Sequence, residues 1–172
     1  MFTDPAKNLG ALGLQGNSIV ADLGAGTGFY SVEAGKLVPQ GKVYAVEVVK
    51  EMLSAVKNKA RDAGLSNVEC IWGDIEKIGG TKIKDKVVDL AILSNILFQV
   101  EHKDKLIEET KRILKPGGQV LFVDWLPGSG AGIQAIPKTE ALKMFEERGM
   151  VFQREINAGA HHYGMILINK SA

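Results

Sequence analysis

The segment Val20-Ala-Asp-Leu-Gly-Ala-Gly-Thr-Gly28 decides how this 172-residue chain is interpreted. It begins inside a short apolar run, Ile19 to Leu23, which has the length and flanks of a buried strand. Three glycines at alternate positions then lead into a helical pattern near Phe29. Closely spaced glycines after a first strand let a ligand approach the backbone and let the next helix pack tightly. The segment therefore predicts a strand–loop–helix unit that holds a nucleotide-like ligand.

Strands and helices alternate outward from this segment. Four helices are predicted from helical spacing. The first begins near Phe29, the second runs from Met52 to a stop at Gly64, the third from Leu106 to a stop at Lys115-Pro-Gly-Gly118, and the fourth from Lys138 to Arg148. The predicted strands are Ile19 to Leu23, Val43 to Val48, Val68 to Trp72, Val87 to Leu93, Val120 to Trp125, Val151 to Ile156 and Tyr163 to Asn169.

This order predicts the fold class. Strand–helix alternation favours a parallel sheet with helices on both faces. The last two strands are separated by about six residues, too few for a parallel crossover, so they must be antiparallel. We expect an α/β fold with a doubly wound, mostly parallel seven-stranded sheet and one antiparallel strand near its edge. We also expect one domain over residues 1–172, with a short N-terminal segment, 1–17, and a core over 18–170.

Composition excludes several classes of protein. Hydrophobic residues make up 45% and charged residues 24%, which are globular rather than disordered proportions. The net charge of +1 gives no global field for a polyanion, so no strong nucleic-acid signature is present. The single Cys70 cannot form an internal disulfide or a multi-cysteine metal site. No signal-like run and no membrane-length apolar stretch is found, so we expect a cytoplasmic protein without a membrane partner.

Two kinds of ligand compete for the glycine loop, and a tight turn without any ligand is the third possibility. The dinucleotide fingerprint G-x-G-x-x-G needs a glycine where Phe29 or Ser31 stands, so neither register fits well. A pyrophosphate is an anion, and Asp22 would repel it at the helix N-terminus. S-adenosylmethionine carries an ammonium and a sulfonium instead, so the same aspartate favours it.

The chain resembles the class I S-adenosylmethionine-dependent methyltransferases. Residues 20–28 look like their first motif, and later segments resemble the later motifs in order. These segments are Glu47 at the end of the second strand, Gly73-Asp74-Ile75 after the third, Asp89-Leu-Ala-Ile-Leu-Ser-Asn95 at the fourth, and Leu114-Lys-Pro-Gly-Gly-Gln-Val-Leu-Phe-Val-Asp124 before and in the fifth. The similarity covers roughly residues 17 to 170, nearest the small-molecule and quinone-biosynthesis branch.

The resemblance implies a set of cofactor-binding residues. Glu47 would accept the ribose hydroxyls, and Asp74 would accept from the adenine amino group while Ile75 packs on the ring. Asp74 also has the simpler interpretation of a turn aspartate. The implied cofactor contacts are Asp22, Gly24, Ala25, Gly26, Gly28, Glu47, Val48, Asp74, Ile75, Ser94 and Asn95.

Candidate catalytic residues follow the fifth and sixth strands, because open parallel sheets bind ligands beyond the carboxyl ends of their strands. Asp124 is the first candidate base, and His161 or His162 comes next. Asp124 has a second interpretation as a cap for the neighbouring loop. His102 is expected near the same edge, where each histidine can equally be a solvated loop residue. No metal site is predicted, since adjacent histidines in a strand point oppositely.

The substrate side departs from the family. Relatives often place a histidine where Phe98 stands, and the usual large cap is missing, since only residues 1–17 precede the core. The glycine-rich loop 126–137 is the main available lid, which predicts a small mouth or one that a partner completes. The predicted function is methyl transfer from S-adenosylmethionine, which leaves S-adenosylhomocysteine, to a small molecule. The alternatives are an NAD-dependent oxidoreductase and a non-catalytic cofactor-binding partner subunit.

Overall fold

A computed structural model describes residues 3–129 and 133–170 of the chain. Its seven strands are β1 (Ile19–Leu23), β2 (Lys42–Glu47), β3 (Val68–Trp72), β4 (Val88–Ser94), β5 (Leu114–Trp125), β6 (Met150–Ile156) and β7 (His162–Asn169). The helices in this part of the chain are α1 (Pro5–Gly10), α2 (Phe29–Leu37), α3 (Lys50–Asp62), α4 (Lys103–Ile113) and α5 (Lys138–Glu146).

The strands form one sheet in the order β3-β2-β1-β4-β5-β7-β6. Strands β1 to β5 run parallel to one another, while β7 runs antiparallel to both β5 and β6. The predicted sheet, with one reversed strand next to the edge, is therefore confirmed. The strand order reverses between β1 and β4, so the carboxyl end of β1 and the loop that follows lie at the point where ligands bind in open α/β sheets.

Two hydrophobic layers cover the two faces of the sheet. One layer joins α1 and α2 to the face that carries Val20, Leu90 and Val123. The other joins α4 and α5 to the opposite face, where Phe122 and Phe145 meet edge to face with ring centroids 5.1 Å apart. Helix α3 lies beside α2 and over β2 and β3. None of the helices among the described residues has the length and apolar character needed to span a bilayer.

Two local predictions differ from the structure. Helix α1 was not predicted; Pro5 at its first turn and the Asp4 carboxylate, which accepts from the Lys7 amide at 3.2 Å, begin it despite its six-residue length. Strand β5 begins at Leu114 instead of Val120, because Leu114 pairs with Val88 before a shift in register leads to the next pair. The Lys-Pro-Gly-Gly sequence does end α4, and it then forms this bulge.

Candidate active site

The glycine loop, residues 24–28, connects β1 to α2 at the centre of the sheet edge. The amides of Gly24 and Ala25 both donate to the carbonyl of Val46, at 2.9 and 3.0 Å. The loop is therefore fixed to the neighbouring strand β2 at its first turn. A Cβ at Gly24 would lie 2.7 Å from Ile96 and 3.5 Å from Ile75, so the loop also packs closely against the connections after β3 and β4.

Gly26 and Gly28 have different neighbours. At Gly26 the backbone φ is +54°, and a Cβ there would meet nothing within 4 Å. Open space therefore lies directly over this residue, as a ligand-binding loop requires. At Gly28, with φ of +86°, a Cβ would come within 3.0 Å of the Val56 side chain on α3. Gly28 thus allows α2 and α3 to pack, while Gly26 leaves the space for a ligand.

Glu47 lies at the end of β2 with its carboxylate turned to the glycine loop. One oxygen, Oε2, accepts from the Gly26 amide at 3.0 Å, and the other, Oε1, accepts from the Val48 and Val49 amides at 2.9 and 3.0 Å. The predicted ribose acid is therefore buried beside the open space over Gly26. Val48, also predicted at the cofactor site, follows it with 59% of its surface exposed, which leaves an apolar wall free at the same place.

Trp72 also holds the connection between β2 and α3, and it was not predicted as a site residue. Its indole Nε1 donates to the Val48 carbonyl at 2.9 Å. The signal was an aromatic residue at the end of β3, which the parallel register places beside Glu47. The connection between β2 and α3 is thus held by a carboxylate and an indole.

Asp22 is buried at the end of β1, and its charge faces helix α2. Its Oδ2 accepts from the Ser31 hydroxyl at 2.6 Å, and the Ser31 amide also donates to the carboxylate. Burial raises the pKa of Asp22 to about 6, although the Ser31 hydrogen bonds oppose the shift. The anion position at the N-terminus of α2 is therefore filled by the protein's own carboxylate, which disfavours a pyrophosphate there.

A group of hydroxyl and amide side chains lies between α1, α2 and β4. The Asn8 side-chain amide donates to the Tyr30 hydroxyl at 2.7 Å and to the Thr3 hydroxyl at 2.7 Å. Ser94, a predicted site residue at the end of β4, also hydrogen-bonds with Tyr30. Burial raises the pKa of Tyr30, so the phenol stays protonated. This group connects the N-terminal helix to the sheet edge, and its contacts join residues too far apart in sequence to be predicted.

Asn95 follows β4 in a left-handed conformation, with φ of +54°. Its amide donates to the Val123 carbonyl at 2.8 Å, and its own carbonyl accepts from Gln99. The side-chain oxygen Oδ1 is buried and has no hydrogen-bond partner among the described residues. An unpaired buried acceptor and an uncommon backbone conformation are both typical of ligand-binding positions.

Asp74 and Ile75 follow β3 as predicted, but they have different surroundings. The Asp74 carboxylate accepts from the Glu76 amide at 3.0 Å and pairs with Lys77 at 3.1 Å. The Glu76 amide is the main reason why the pKa of Asp74 is lowered, although burial opposes the shift. Asp74 therefore has the contacts of a turn aspartate, while Ile75 is buried near Gly24. A role for Asp74 toward adenine stays a prediction.

Asp124 ends β5 and is almost completely buried. Its oxygens accept from the Trp125 amide at 2.8 Å and from the Leu97 amide at 3.2 Å. Burial raises the pKa of Asp124 to about 6, although these amides oppose the shift. Asp124 thus caps a loop, as its second interpretation had it, but the loop follows β4 instead of β5. Of the glycine-rich loop 126–137 that was predicted as a lid, residues 130–132 lie outside the described residues.

The three histidines have three different environments. His102 is exposed at the start of α4, where its amide donates to Glu76. His161 is exposed, and its carbonyl accepts from the Leu126 amide at 2.9 Å. His162 is only 4% exposed, and its ring lies 4.1 Å from that of Trp125, centroid to centroid. Burial and the neighbouring His161 lower the pKa of His162, so it is neutral at pH 7.

Both ring nitrogens of His162 are buried, and neither has a hydrogen-bond partner among residues 3–129 and 133–170. A buried imidazole without a hydrogen-bond partner is unfavourable, which makes His162 a candidate contact for a bound molecule. Asp124 and His162 also lie on opposite faces of the sheet. Asp124 shares its face with Phe122, whereas the His162–Trp125 pair shares its face with Val123. The two candidate bases are therefore at one edge but cannot act as a pair.

The connection between β3 and β4 is held by a buried ion pair that was not predicted. Glu109 on α4 accepts from the Gly79 amide at 2.8 Å and from the Thr81 hydroxyl at 2.5 Å. Arg112 bonds the same carboxylate at 2.7 Å and also pairs with Asp85. The signal was an acid within the buried stripe of α4. Because this connection carries Asp74 and Ile75, the pair positions one wall of the site.

The residues at this edge fit S-adenosylmethionine. The open space over Gly26 has the buried Glu47 carboxylate on one side, and the exposed Val48 and buried Ile75 supply apolar walls for an adenine ring. The free Asn95 oxygen can accept a hydrogen bond from an ammonium group.

Known proteins are similar to this chain in sequence and in fold. Residues 14–151 match the family model described as a methyltransferase domain. A ubiquinone/menaquinone biosynthesis C-methyltransferase of Pseudomonas entomophila is 30% identical over 115 residues, which cover 66% of this chain and 44% of that protein. The chain thus spans less than half the length of the curated relatives that it matches.

Solved structures extend the similarity. A SAM-dependent methyltransferase from Aquifex aeolicus is 29% identical, with a TM-score of 0.82 over 97% of this chain and 90% of that one. An arsenic(III) S-adenosylmethionine methyltransferase from Chlamydomonas reinhardtii is 26% identical, with a TM-score of 0.72 over 92% of this chain and 65% of that one. With its glycine loop, buried strand-end acid and matched family model, the chain belongs to the class I S-adenosylmethionine-dependent methyltransferases.

Proposed function

We propose that this chain transfers a methyl group from S-adenosylmethionine to a small-molecule acceptor bound beyond the ends of β4 and β5. The observation that carries the proposal is the open space over Gly26 beside the Glu47 carboxylate, with the apolar Val48 exposed next to it. When bound, S-adenosylmethionine supplies a methyl group that its sulfonium has already activated. The chain then has to bind, orient and exclude water rather than generate a leaving group.

Each of these tasks is carried out by particular residues of the chain. Gly26, Glu47 and Val48 hold the cofactor, and Asn95 offers its free oxygen to the same ligand. Asp22 excludes anionic groups from the N-terminus of α2 and keeps the loop attached to that helix through Ser31. None of these roles needs a proton to move.

A base is needed only if the acceptor arrives protonated. His162 is the better-placed candidate, because its neutral ring has a nitrogen free to accept a proton or a hydrogen bond. Asp124 has both oxygens engaged by amides, so we assign it to positioning the loop that carries Leu97. His161 stays a third candidate whose exposed ring has no fixed direction.

The acceptor is a small organic molecule in this proposal. The relatives include an enzyme named for quinone biosynthesis and one named for arsenic(III), so family membership alone leaves the accepting atom open. The NAD-dependent alternative has no support among these relatives, and the Asp22 carboxylate at the helix N-terminus argues against it. A non-catalytic partner subunit would bind cofactor tightly but turn over no acceptor.

The test is titration calorimetry with S-adenosylmethionine, S-adenosylhomocysteine and NADH. We expect the first two to bind and NADH not to bind. Gly26→Val should abolish binding, because its side chain fills the open space over the loop. Gly13→Val is the matched control, since Gly13 has a φ of +65° and equally open surroundings but follows α1, away from the loop.

Turnover is then measured with tritiated methyl donor and a panel of phenols, quinols, amines and thiols. Binding with turnover of one class identifies the acceptor chemistry. Equal affinity for NADH, or equal loss in the two glycine variants, would contradict the proposed site.

A further inference from the structure

Large hydrophobic side chains are exposed together around the mouth of the site, which is the open space over Gly26 beside Glu47. Of the nine that the described residues leave exposed, five lie at the starts of α2 and α3 or at the ends of β2 and β3. Single exposed hydrophobic residues are normal, whereas a contiguous group marks an interaction surface. Val48 is the wall assigned to the cofactor, so we call the other four residues the apolar rim: Phe29, Val49, Met52 and Trp72.

Hydrogen bonds and one lysine link the segments that carry the rim. The Trp72 indole donates to the Val48 carbonyl at 2.9 Å, and the Met52 amide donates to the Val49 carbonyl at 3.1 Å. Met52 and Lys59 lie two turns apart on the same side of α3, and Lys59 reaches Phe29 on the neighbouring helix. The rim therefore runs from the edge strand β3 across the mouth to the start of α2.

Lysines accompany the two aromatic members of the rim. The Lys59 Nζ lies 3.7 Å from the Phe29 ring centroid, and the Nζ atoms of Lys50 and Lys82 lie 4.2 and 5.6 Å from that of Trp72. None of these three lysines forms an ion pair with a carboxylate among the described residues, whereas many other lysines do. Their positive charge is therefore not neutralised where the rim is exposed.

We propose that the apolar rim and its three lysines dock this protein on an anionic lipid surface, with the mouth of the site facing the headgroups. Exposed aromatic and aliphatic side chains bury in the interface between headgroups and acyl chains, while lysines bind the anionic headgroups. The chain as a whole carries a net charge of only +1, so attraction is confined to this local group. Two acids oppose it: Glu51, which is exposed on the first turn of α3, and the Glu47 carboxylate at the mouth itself.

The rim fits a membrane better than a single-stranded nucleic acid. Nucleic-acid grooves combine stacking aromatics with a cationic track along the backbone. Two of the four rim residues, Val49 and Met52, have aliphatic or sulfur-containing side chains without a planar face. Nucleic-acid binding is therefore an outcome that the experiment must exclude.

The experiment is co-sedimentation of the protein with vesicles of pure phosphatidylcholine or of phosphatidylcholine mixed with phosphatidylglycerol. We expect binding to the mixed vesicles only, and less binding as salt rises. Lys50→Glu and Lys82→Glu should each weaken partitioning about fivefold or more, since one lysine near an anionic surface contributes about that factor. Phe29→Ser should weaken binding to a similar degree, because a buried aromatic side chain is lost.

Matched controls separate the rim from general charge and hydrophobicity. Lys143→Glu changes an exposed lysine on α5, and Leu37→Ser changes an exposed residue at the opposite end of α2 from Phe29. Both controls should bind vesicles like the unchanged protein. Each rim variant should still bind S-adenosylmethionine, which shows that it is folded.

Three outcomes would overturn the docking proposal: equal binding to both kinds of vesicle, equal losses in the control variants, or binding of a single-stranded RNA oligonucleotide in preference to vesicles. Vesicle binding requires neither cofactor nor turnover. A protein that binds S-adenosylmethionine but no vesicle therefore contradicts the docking surface alone. One that binds vesicles but no cofactor contradicts the proposed function alone.

Discussion

Glu47 offers its two carboxylate oxygens to amides on two loops, Gly26 on one and Val48 with Val49 on the other. Replacing it changes both the charge beside the cofactor and the shape of the loops. We expect Glu47→Ala to weaken S-adenosylmethionine binding by about 1–3 kcal/mol, the range for losing hydrogen bonds to a charged group. Calorimetry measures this loss.

Glu47→Gln separates the two effects, because its one carbonyl oxygen still accepts from an amide. Its loss of affinity should be smaller than that of Glu47→Ala. Glu69→Ala is the control, since Glu69 is an exposed acid on β3 that pairs with Lys42. Unchanged affinity in Glu47→Ala would show that the carboxylate contributes nothing to the cofactor site.

His162 gives a prediction in which stability and function change in opposite directions. Its ring nitrogens are buried without partners among the described residues, which destabilises the protein when no acceptor is bound. We therefore expect His162→Phe to raise the free energy of unfolding by about 1 kcal/mol and to lower turnover. Urea denaturation gives the first quantity, and the methyl-transfer assay gives the second. A variant that loses stability would instead assign His162 to packing.

If Asp124 positions a loop, its replacement should lower stability, whereas replacement of His162 should raise it. Asp124→Ala leaves the Leu97 and Trp125 amides without their acceptor, which should cost about 1–3 kcal/mol of stability. Cofactor affinity should change little. Asp124→Asn keeps one acceptor oxygen and should retain most of the stability. If Asp124→Asn keeps its stability but loses turnover between pH 6 and 9, Asp124 acts as the base.

At the scale of elements, the link between α4 and the connection from β3 to β4 depends on Glu109. Burial opposes its ionisation, but the hydrogen bonds from Arg112 and Thr81 outweigh burial and lower the pKa of Glu109 to about 2. We expect Glu109→Ala to cost about 3 kcal/mol or more, because it leaves Arg112 and two backbone amides without their partner. Thermal unfolding of this variant beside Glu108→Ala, an exposed neighbour on α4, measures the difference.

All the strands and every helix except α1 were predictable, with some error in their bounds, because each repeats a local pattern. The glycines at 24–28 and the apolar run before them placed β1, the loop and α2 correctly. Contacts between distant residues were not predictable from spacing. Asp22 was expected to attract a cationic ligand, yet its carboxylate first binds Ser31. Asp124 was expected to act as a base or, in its second interpretation, to cap the following loop, yet it binds Leu97, because two parallel strands bring residues 27 positions apart together.

Asp124 and His162 lie on opposite faces of the sheet, and this too could not be predicted from spacing in the sequence. Both residues lie at the carboxyl end of β5, the edge that the resemblance to the family implied for them, because β7 begins beside the end of β5. Which face each occupies depends on the register between β5 and β7, where Trp125 lies opposite His162. No pattern in the sequence gives that register directly. The expected single domain over residues 1–172 stays a prediction.

For the whole molecule, the buried carboxylates give a characteristic dependence of stability on pH. The pKa values of Asp22 and Asp124 are both raised to about 6 in the folded protein, from 3.8. The folded state therefore holds these protons more tightly, and stability should fall as pH rises from about 4 to about 6. Glu109 has the opposite sign, since its lowered pKa makes stability fall as pH decreases from about 4.5 toward 2.

Urea unfolding at a series of pH values measures both changes in the free energy of unfolding, the decline above pH 4 and the decline at acid pH. Asp124→Asn should reduce the decline between pH 4 and 6, and Glu109→Gln should flatten the decline at acid pH. A free energy of unfolding that rises steadily from pH 4 to 6 in the unchanged protein would contradict the burial of these two aspartates.

The position of β7 between β5 and β6 also has a consequence for the chain as it leaves the ribosome. Strand β6 is made before β7 but has no place in the sheet until β7 has paired with β5. Until residue 169 is available, the long strand β5 keeps an open edge that other chains can pair with. The nascent protein thus passes through a stage in which the cofactor half of the sheet can form while its other side is exposed to aggregation.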